Sequence, residues 1–128
     1  MSRTEIMPDA LYDSTQNQYV HAIVEDDTLY MSGQVARAPS GDVVGDAIEP
    51  QTRQAFEKVE AILDEVDADF ADVAKVTSYL TAIHGDYDGY KAVFSEFFDA
   101  PYPCHTMLGV AALAHPDLRV ELEVEVPL

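Results

Sequence analysis

The last segment of the chain carries its strictest pattern, and this pattern constrains the fold more than any other stretch does. From Val120 to Val126 the residues alternate as Val-Glu-Leu-Glu-Val-Glu-Val. Successive side chains of a β-strand point to opposite faces, so a period of two predicts a strand with one apolar face and one carboxylate face. The chain is therefore expected to fold around a sheet with one buried face and one polar face.

Two stretches change to the spacing of an amphipathic helix, and Pro101 and Pro103 end the second of them. The first begins near Ile48, with Asp46 predicted as its cap and Pro50 in its first turn. Its apolar stripe is Ala55, Phe56, Val59, Ile62, Leu63 and Val66. The second stripe is aromatic, and it comprises Tyr87, Tyr90, Val93, Phe94, Phe97 and Phe98. Both stripes are typical of helices that pack on a core.

Four further segments are predicted to be extended, and the first two form a hairpin. They are Tyr19–Val24, Thr28–Gly33, Val73–Leu80 and Cys104–Val110. Strands and helices thus mix in an α+β arrangement, which we expect to form a single domain over residues 1–128. Two helices can cover only one face of the sheet.

The second face of the predicted sheet is only half apolar. It carries Tyr19, His21, Tyr30, Ser32, Lys75 and Thr77. Such a face either contacts water or packs against another subunit, and its tyrosines favour a subunit interface. Any ligand pocket is then expected between subunits.

The charge of the chain excludes some partners. Twenty-four acidic residues oppose seven basic ones, which gives a net charge of −17. Such a surface repels phosphate backbones and anionic lipids, so binding to nucleic acid or to a membrane is not expected. The acidic residues are dispersed, which is typical of a protein that stays soluble in a high-salt, halophilic cytoplasm; a surface for a partner is the alternative. A cytoplasmic location is expected, because neither a signal peptide nor an apolar run of membrane-spanning length is present.

Metal sites and a cysteine nucleophile are not expected. The chain has no His-x-His, Cys-x-x-Cys or Glu-x-x-His pattern, and its single cysteine, Cys104, cannot form an internal disulfide. The only nearby base in sequence is His105, and neighbours on a strand point to opposite faces. Cys104 is therefore predicted to be a small buried residue.

Several short motifs together resemble the RidA/YjgF family. They are Tyr30-Met31-Ser32-Gly33-Gln34, Gly41–Asp46, Gln51–Ala55, Asp72–Thr77, Phe97-Phe98 and Val120–Glu123. The resemblance runs through essentially the whole chain in order. It implies a chorismate-mutase-like fold with a mixed sheet of about six strands and two helices on one face. It also implies a homotrimer with ligand clefts between subunits, and hydrolysis of reactive imines or enamines without a metal or an organic cofactor.

The resemblance also assigns roles to particular residues. Tyr19, Ser32 and Gly33 match positions that line the family's cleft, and Glu121 matches the glutamate that positions water. Thr106 replaces a serine conservatively. These matches predict that the first three residues and Thr106 bind substrate and that Glu121 is catalytic.

His105 is the main departure, because the family has an arginine there that binds the substrate carboxylate. An arginine makes a forked, permanently charged contact, whereas a histidine donates one hydrogen bond per nitrogen and loses its charge near neutral pH. Loss of the fork is expected to cost about 2–4 kcal/mol in a desolvated cleft. Another substrate, a rebuilt carboxylate site, absence of catalysis and a merely space-filling histidine remain open.

Lys91 replaces a family asparagine on the second helix, and one hypothesis is that Lys91 and His105 together hold an anionic substrate. A solvated lysine is the alternative. As a general acid or base His105 would suit neutral pH, so it is predicted to be catalytic together with Glu121. The sequence thus predicts an imine or enamine deaminase that acts on a small-molecule ligand of anionic type. The alternative is a non-catalytic, ligand-binding or regulatory trimer of the same fold.

Overall fold

One seven-stranded sheet organises the chain, and a computed structural model describes residues 3–128. The strands are β1 (Arg3–Ile6), β2 (Ala22–Glu25), β3 (Thr28–Met31), β4 (Gln34–Val35), β5 (Lys75–Leu80), β6 (Cys104–Gly109) and β7 (Val120–Pro127). The helices are α1 (Ile48–Asp64) and α2 (Ile83–Phe97). The strand order is β1-β2-β3-β7-β5-β6, and β4 also pairs with β7.

The predicted mixed sheet with two helices is confirmed. Only β5 and β6 run parallel, joined by α2, and every other pairing is antiparallel. The sheet has seven strands, whereas about six were expected. The sequence signal of β1 and β4 is weak, because β1 is mostly exposed and β4 has only two residues. The hairpin between β2 and β3 turns at Asp26 and Asp27, which both have positive φ, as a two-residue turn of this twist requires.

The alternation along the last strand is confirmed in β7. Val120, Leu122, Val124 and Val126 are buried in the core, and Glu121, Glu123 and Glu125 lie on the opposite face. α1 packs against β4 and β7, and α2 packs against α1 and above β5 and β6. The face that carries the glutamates is left open in the chain.

An aromatic cluster joins the two helices. The ring of Phe56 on α1 is fully buried, and five aromatic rings have centroids within 6.4 Å of its own. They belong to Phe70, Tyr90, Phe94, Phe97 and Phe98. This cluster fixes α2, and with α2 the side chains that it places over the sheet.

Two predictions about local structure are wrong. Ala47, not Asp46, is the N-cap of α1, and it forms no side-chain capping hydrogen bond; Pro50 lies in the first turn as expected. Cys104 is exposed, because β6 is the last strand of the sheet and no strand within residues 3–128 pairs with its outer edge. Leu108 on the same strand is 44% exposed. The chain therefore leaves a partly apolar strand edge unpaired.

Within residues 3–128, neither helix has the length and apolar character needed to cross a bilayer.

Replacing Phe56 tests the aromatic cluster. We expect Phe56→Ala to lower the free energy of unfolding by about 3–5 kcal/mol, because it removes a fully buried ring and leaves a cavity among five others. Urea unfolding at a fixed protein concentration measures the change. The control is Tyr87→Ala on α2, whose side chain is 44% exposed and whose loss should change the value by less than about 1 kcal/mol. Equal losses in the two variants would contradict the proposed role of the cluster.

Candidate functional site

A cleft of about 580 Å³ lies at the end of the β2–β3 hairpin, beside β4 and β7. Its lining includes Tyr19, Ser32, Gly33, Val35, Arg37 and Glu121. Four residues that the sequence singled out, Tyr19, Ser32, Gly33 and Glu121, thus line one cavity. The sheet register brings them together, since β4 pairs Val35 directly with Glu121.

Glu121 lies against the backbone of Gly33. A Cβ atom at residue 33 would be 1.8 Å from Oε2 of Glu121, so only glycine leaves room for the carboxylate in this position. The close approach holds the carboxylate at the cleft wall. Gly33 therefore has a role that its φ angle alone would not reveal.

Burial raises the pKa of Glu121 above its ordinary value, and the neighbouring Glu123 raises it further, while Lys58 opposes both. Glu123 itself accepts a hydrogen bond of 2.7 Å from the Tyr79 hydroxyl. Glu121 is thus a more basic carboxylate than an exposed one. A carboxylate of this kind is suited to taking up a proton from water.

Hydrogen bonds fix the cleft wall formed by the hairpin. The Ser32 hydroxyl donates to the Val20 carbonyl at 2.7 Å, and the Ser32 amide donates to the His21 carbonyl at 2.8 Å. The ring of Tyr19 meets that of His21 edge to face, at 6.1 Å between centroids. Tyr19 is 37% exposed and lines the cleft, so its ring is available to a ligand.

His21 supports this wall from behind. It is 1% exposed; its Nε2 lies 2.7 Å from the Tyr12 carbonyl, and its Nδ1 lies 3.3 Å from the Gln34 amide nitrogen. These partners make Nε2 the donor and Nδ1 the acceptor. Burial lowers the pKa of His21, so the ring is neutral and structural.

His105 lies elsewhere, on the helix-covered face of β6. It is paired with Val76, and its ring stacks on Phe94 of α2 at 4.6 Å and an interplanar angle of 7°. Nε2 lies 3.1 Å from the Tyr90 hydroxyl and 3.2 Å from the Ser78 hydroxyl, and these two hydroxyls also bond to each other. With one hydroxyl proton in the bond between them and the other directed at Nε2, Nδ1 is the nitrogen that carries the imidazole proton.

The charge state of His105 follows from its surroundings. Burial lowers its pKa first, and the positive charges of Lys91 and Lys75 lower it further. The imidazole is therefore neutral at pH 7 and offers a hydrogen-bond donor without a charge. Lys91 is near enough to influence this ring, and its ammonium lies 5.5 Å from the centre of the Tyr87 ring.

Thr106 points away from His105. Its hydroxyl accepts a hydrogen bond of 2.9 Å from Lys75 and lies on the open face, in register with Thr77. The chain therefore forms two separate groups of predicted site residues, the cleft beside Glu121 and the His105–Lys91 group at the β6 edge. Within one chain, the side chains of His105 and Thr106 do not converge on a shared hollow.

Two basic residues near the cleft were missed by the sequence analysis. Lys58 on α1 is 5% exposed, its ammonium donates to the Val35 carbonyl at 3.0 Å, and burial lowers its pKa to about 8. Its spacing from Ala55 and Ile62 on the apolar stripe could have revealed this burial. Arg37 lines the cleft from a loop, and no periodic pattern marks it.

Among residues 3–128, no group of three His, Cys, Asp or Glu side chains is placed to hold a metal ion. The polar groups that line the cleft include a carboxylate, two hydroxyls and a guanidinium. Such groups orient a small polar ligand and transfer protons.

Comparison with known proteins gives consistent results. The family profile described as endoribonuclease L-PSP matches residues 9–127. A protein of Lactococcus lactis subsp. lactis (strain IL1403), AldR, named as an inferred regulator, is 39% identical over 107 residues, which cover 83% of each chain. A 2-iminobutanoate/2-iminopropanoate deaminase of Dermatophagoides farinae is 30% identical over 124 residues, which cover 96% of this chain and 95% of that protein.

The solved structure of protein YjgH superposes with a TM-score of 0.91 at 29% identity, over 100% of this chain and 98% of that one. The fold, the order of the motifs and the extent of the profile match agree with one another. The chain belongs to the RidA/YjgF family, whose profile carries the description endoribonuclease L-PSP.

Proposed function

We propose that the protein hydrolyses a small imine or enamine derived from an amino acid, without a cofactor, in the cleft that contains Glu121. The observation that carries this proposal is the half-buried carboxylate of Glu121, whose pKa is raised and which is held against Gly33, in a cleft that Tyr19 and Ser32 also line. Relatives named 2-iminobutanoate/2-iminopropanoate deaminase support the reaction class.

The groups of the cleft suit a simple hydrolytic sequence. Glu121 accepts a proton from a water molecule as the water oxygen bonds to the imine carbon. The proton then passes to the nitrogen, which gives a carbinolamine. The carbinolamine hydroxyl next gives up its proton to Glu121, which passes it to the nitrogen; the C–N bond breaks as the C=O bond forms, and ammonia and an oxo compound leave. The hydroxyl of Tyr19 and the backbone around Ser32 and Gly33 orient the substrate. Every step is a proton transfer, the addition of water or the loss of ammonia.

We further propose that a homotrimer completes the site, with His105 of one protomer facing the Glu121 cleft of the next. Two features support this arrangement: the open edge of β6, with Leu108 exposed, and the uncovered face that carries Tyr30. Unpaired strand edges are usually covered in native proteins. The neutral imidazole would donate a hydrogen bond from Nδ1 to the substrate, and Lys91 would supply a nearby positive charge.

Loss of an imine is the direct test of the function. With 2-aminoacrylate generated enzymatically, we expect wild type to accelerate decay of the intermediate, weakly because the family's arginine is absent, at both low and high salt. Glu121→Gln should remove about 100-fold or more of the enzymatic rate, because it removes the general base. Glu125→Gln is the matched control, since Glu125 is exposed on the same strand.

No acceleration by wild type would contradict the hydrolase. If a small 2-oxo acid then still bound in the cleft, the result would favour a non-catalytic binding protein, a class to which the name of AldR points.

The pH profile tests the role of Glu121 separately. A base acts in its ionised form, and burial raises the pKa of Glu121 above the ordinary value of a glutamate. We expect kcat to fall as the pH decreases, with a midpoint above that of an ordinary glutamate, because the carboxylate becomes protonated. Any residual rate of Glu121→Gln should lack this acidic limb. An identical limb in the variant would assign the titration to another group.

Mixing two impaired variants tests whether His105 and Glu121 of neighbouring protomers form one site. His105→Ala and Glu121→Gln should each be impaired as homotrimers. After co-refolding in equal amounts, about a quarter of the clefts should be intact. Each cleft needs an intact Glu121 from one protomer and an intact His105 from the next, and with random mixing each of these is present in half of the cases. Steady-state imine loss and the mass of the assembly are the measurements. Activity that stays at the mean of the two parents, or a protein that is monomeric at every concentration, would contradict the arrangement.

A further inference from the structure

We propose that Arg37 binds the carboxylate of the substrate in the cleft. The assignment rests on the proposed function for the identity of that substrate as an imino acid. It deepens the proposed function because it names Arg37 as the positive charge that binds the substrate carboxylate, a role that the family's arginine at position 105 would otherwise have. Arg37 belongs to the same protomer as Glu121 and lines the same cavity.

Arg37 differs from the other arginines in its partners. Three of the four arginines form ion pairs: Arg3 with Glu25 at 2.8 Å, Arg53 with Glu96 at 2.6 Å, and Arg119 with Asp86 at 3.0 Å. For Arg37, no carboxylate of residues 3–128 lies within ion-pair distance. In a chain with 24 acidic residues, a half-buried guanidinium without such a partner leaves its charge available to an external anion.

The loop holds the guanidinium at the cleft wall. Its Nη1 donates to the Gly41 carbonyl at 2.8 Å, and the Arg37 backbone is bridged to Val43. Gly41 has a φ of 93° and packs against Tyr12, where a Cβ would lie 3.0 Å from the ring, so this turn is closely fitted. One of the five N–H donors is thus used for positioning, and a planar edge of the guanidinium can still donate two hydrogen bonds to a carboxylate.

The cleft has opposite charges that do not neutralise each other. Glu121 and Arg37 both line it without forming an ion pair within 4.0 Å. An α-imino acid carries an anionic carboxylate beside an electrophilic carbon. Its carboxylate can bind at Arg37 while Glu121 directs water toward that carbon.

The other cations are less suited to this task. The ammonium of Lys58 is buried and donates to the Val35 carbonyl, and Lys58 is not among the residues that line the cleft. The imidazole of His105 is neutral at pH 7 and is already bonded through Nε2. The planar guanidinium of Arg37 can donate the two parallel hydrogen bonds that a carboxylate prefers.

Binding of a matched pair of probes tests the inference. We would titrate wild type, Arg37→Gln and Arg53→Gln with 2-oxobutanoate and with its neutral amide, 2-oxobutanamide, followed by calorimetry. Arg37→Gln should weaken binding of the carboxylate about 10- to 100-fold and change binding of the amide by less than about 3-fold. Arg53→Gln removes the same charge from an exposed ion pair, and both affinities should stay unchanged.

Each outcome decides the point. Unchanged carboxylate affinity in Arg37→Gln, equal losses for both probes, or no binding of 2-oxobutanoate to wild type would overturn the inference. If Arg37→Gln fails to fold, Arg37→Lys, which keeps the charge and loses the fork, should show about a 10-fold loss for the carboxylate alone; an unchanged affinity there would overturn it as well.

The proposed function can fail independently. If wild type accelerates no imine hydrolysis but binds the carboxylate through Arg37, the hydrolase is wrong and this assignment stands. If hydrolysis is present and Arg37→Gln leaves KM and the binding of both probes unchanged, the hydrolase stands and this assignment is wrong.

Discussion

The central strand β7 carries both the core and the site of this protein. It pairs with β3, β4 and β5, so its register fixes the position of most of the sheet. Its apolar side chains anchor α1 and α2, and its opposite face presents carboxylates. Because β4 sets Val35 against Glu121, the same pairing that buries the core also brings Glu121 to Gly33. Fold and candidate chemistry thus depend on one ladder of hydrogen bonds.

Two groups of candidate site residues lie on different parts of this sheet, and each is positioned by a different kind of interaction. Glu121 is placed by backbone pairing and by the close approach of Gly33. His105 is placed by stacking on Phe94 and by the hydroxyl of Tyr90, and therefore by the aromatic cluster that fixes α2. The cleft side holds a carboxylate of raised pKa, whereas the β6 side holds a neutral imidazole. Assembly of several chains would be needed to bring them together.

The cleft differs from most of the acidic surface because two basic residues lie at or beside it. Most of its surface repels anions, since the net charge is −17. Around Val35, however, Lys58 and Arg37 lie close enough that burial first, and then Arg37, lowers the pKa of Lys58. The charge of Lys58 in turn limits the rise in the pKa of Glu121. Two of the seven basic residues of the chain thus lie at or beside the cleft.

The sequence by itself determined the elements, because periodicity is local: the alternation around Glu121 identified β7, and the stripe around Phe56 identified α1. Resemblance added the residues of the cleft wall. Tertiary structure decided the rest. The exposure of Cys104 depends on β6 being an edge strand. The neutral state of His105 depends on partial desolvation of its ring and then on the nearby charges of Lys91 and Lys75. That Arg37 has no ion-pair partner among residues 3–128 depends on which carboxylates lie near it. Burial, charge state and partners arise from contacts between distant segments, which no local pattern encodes.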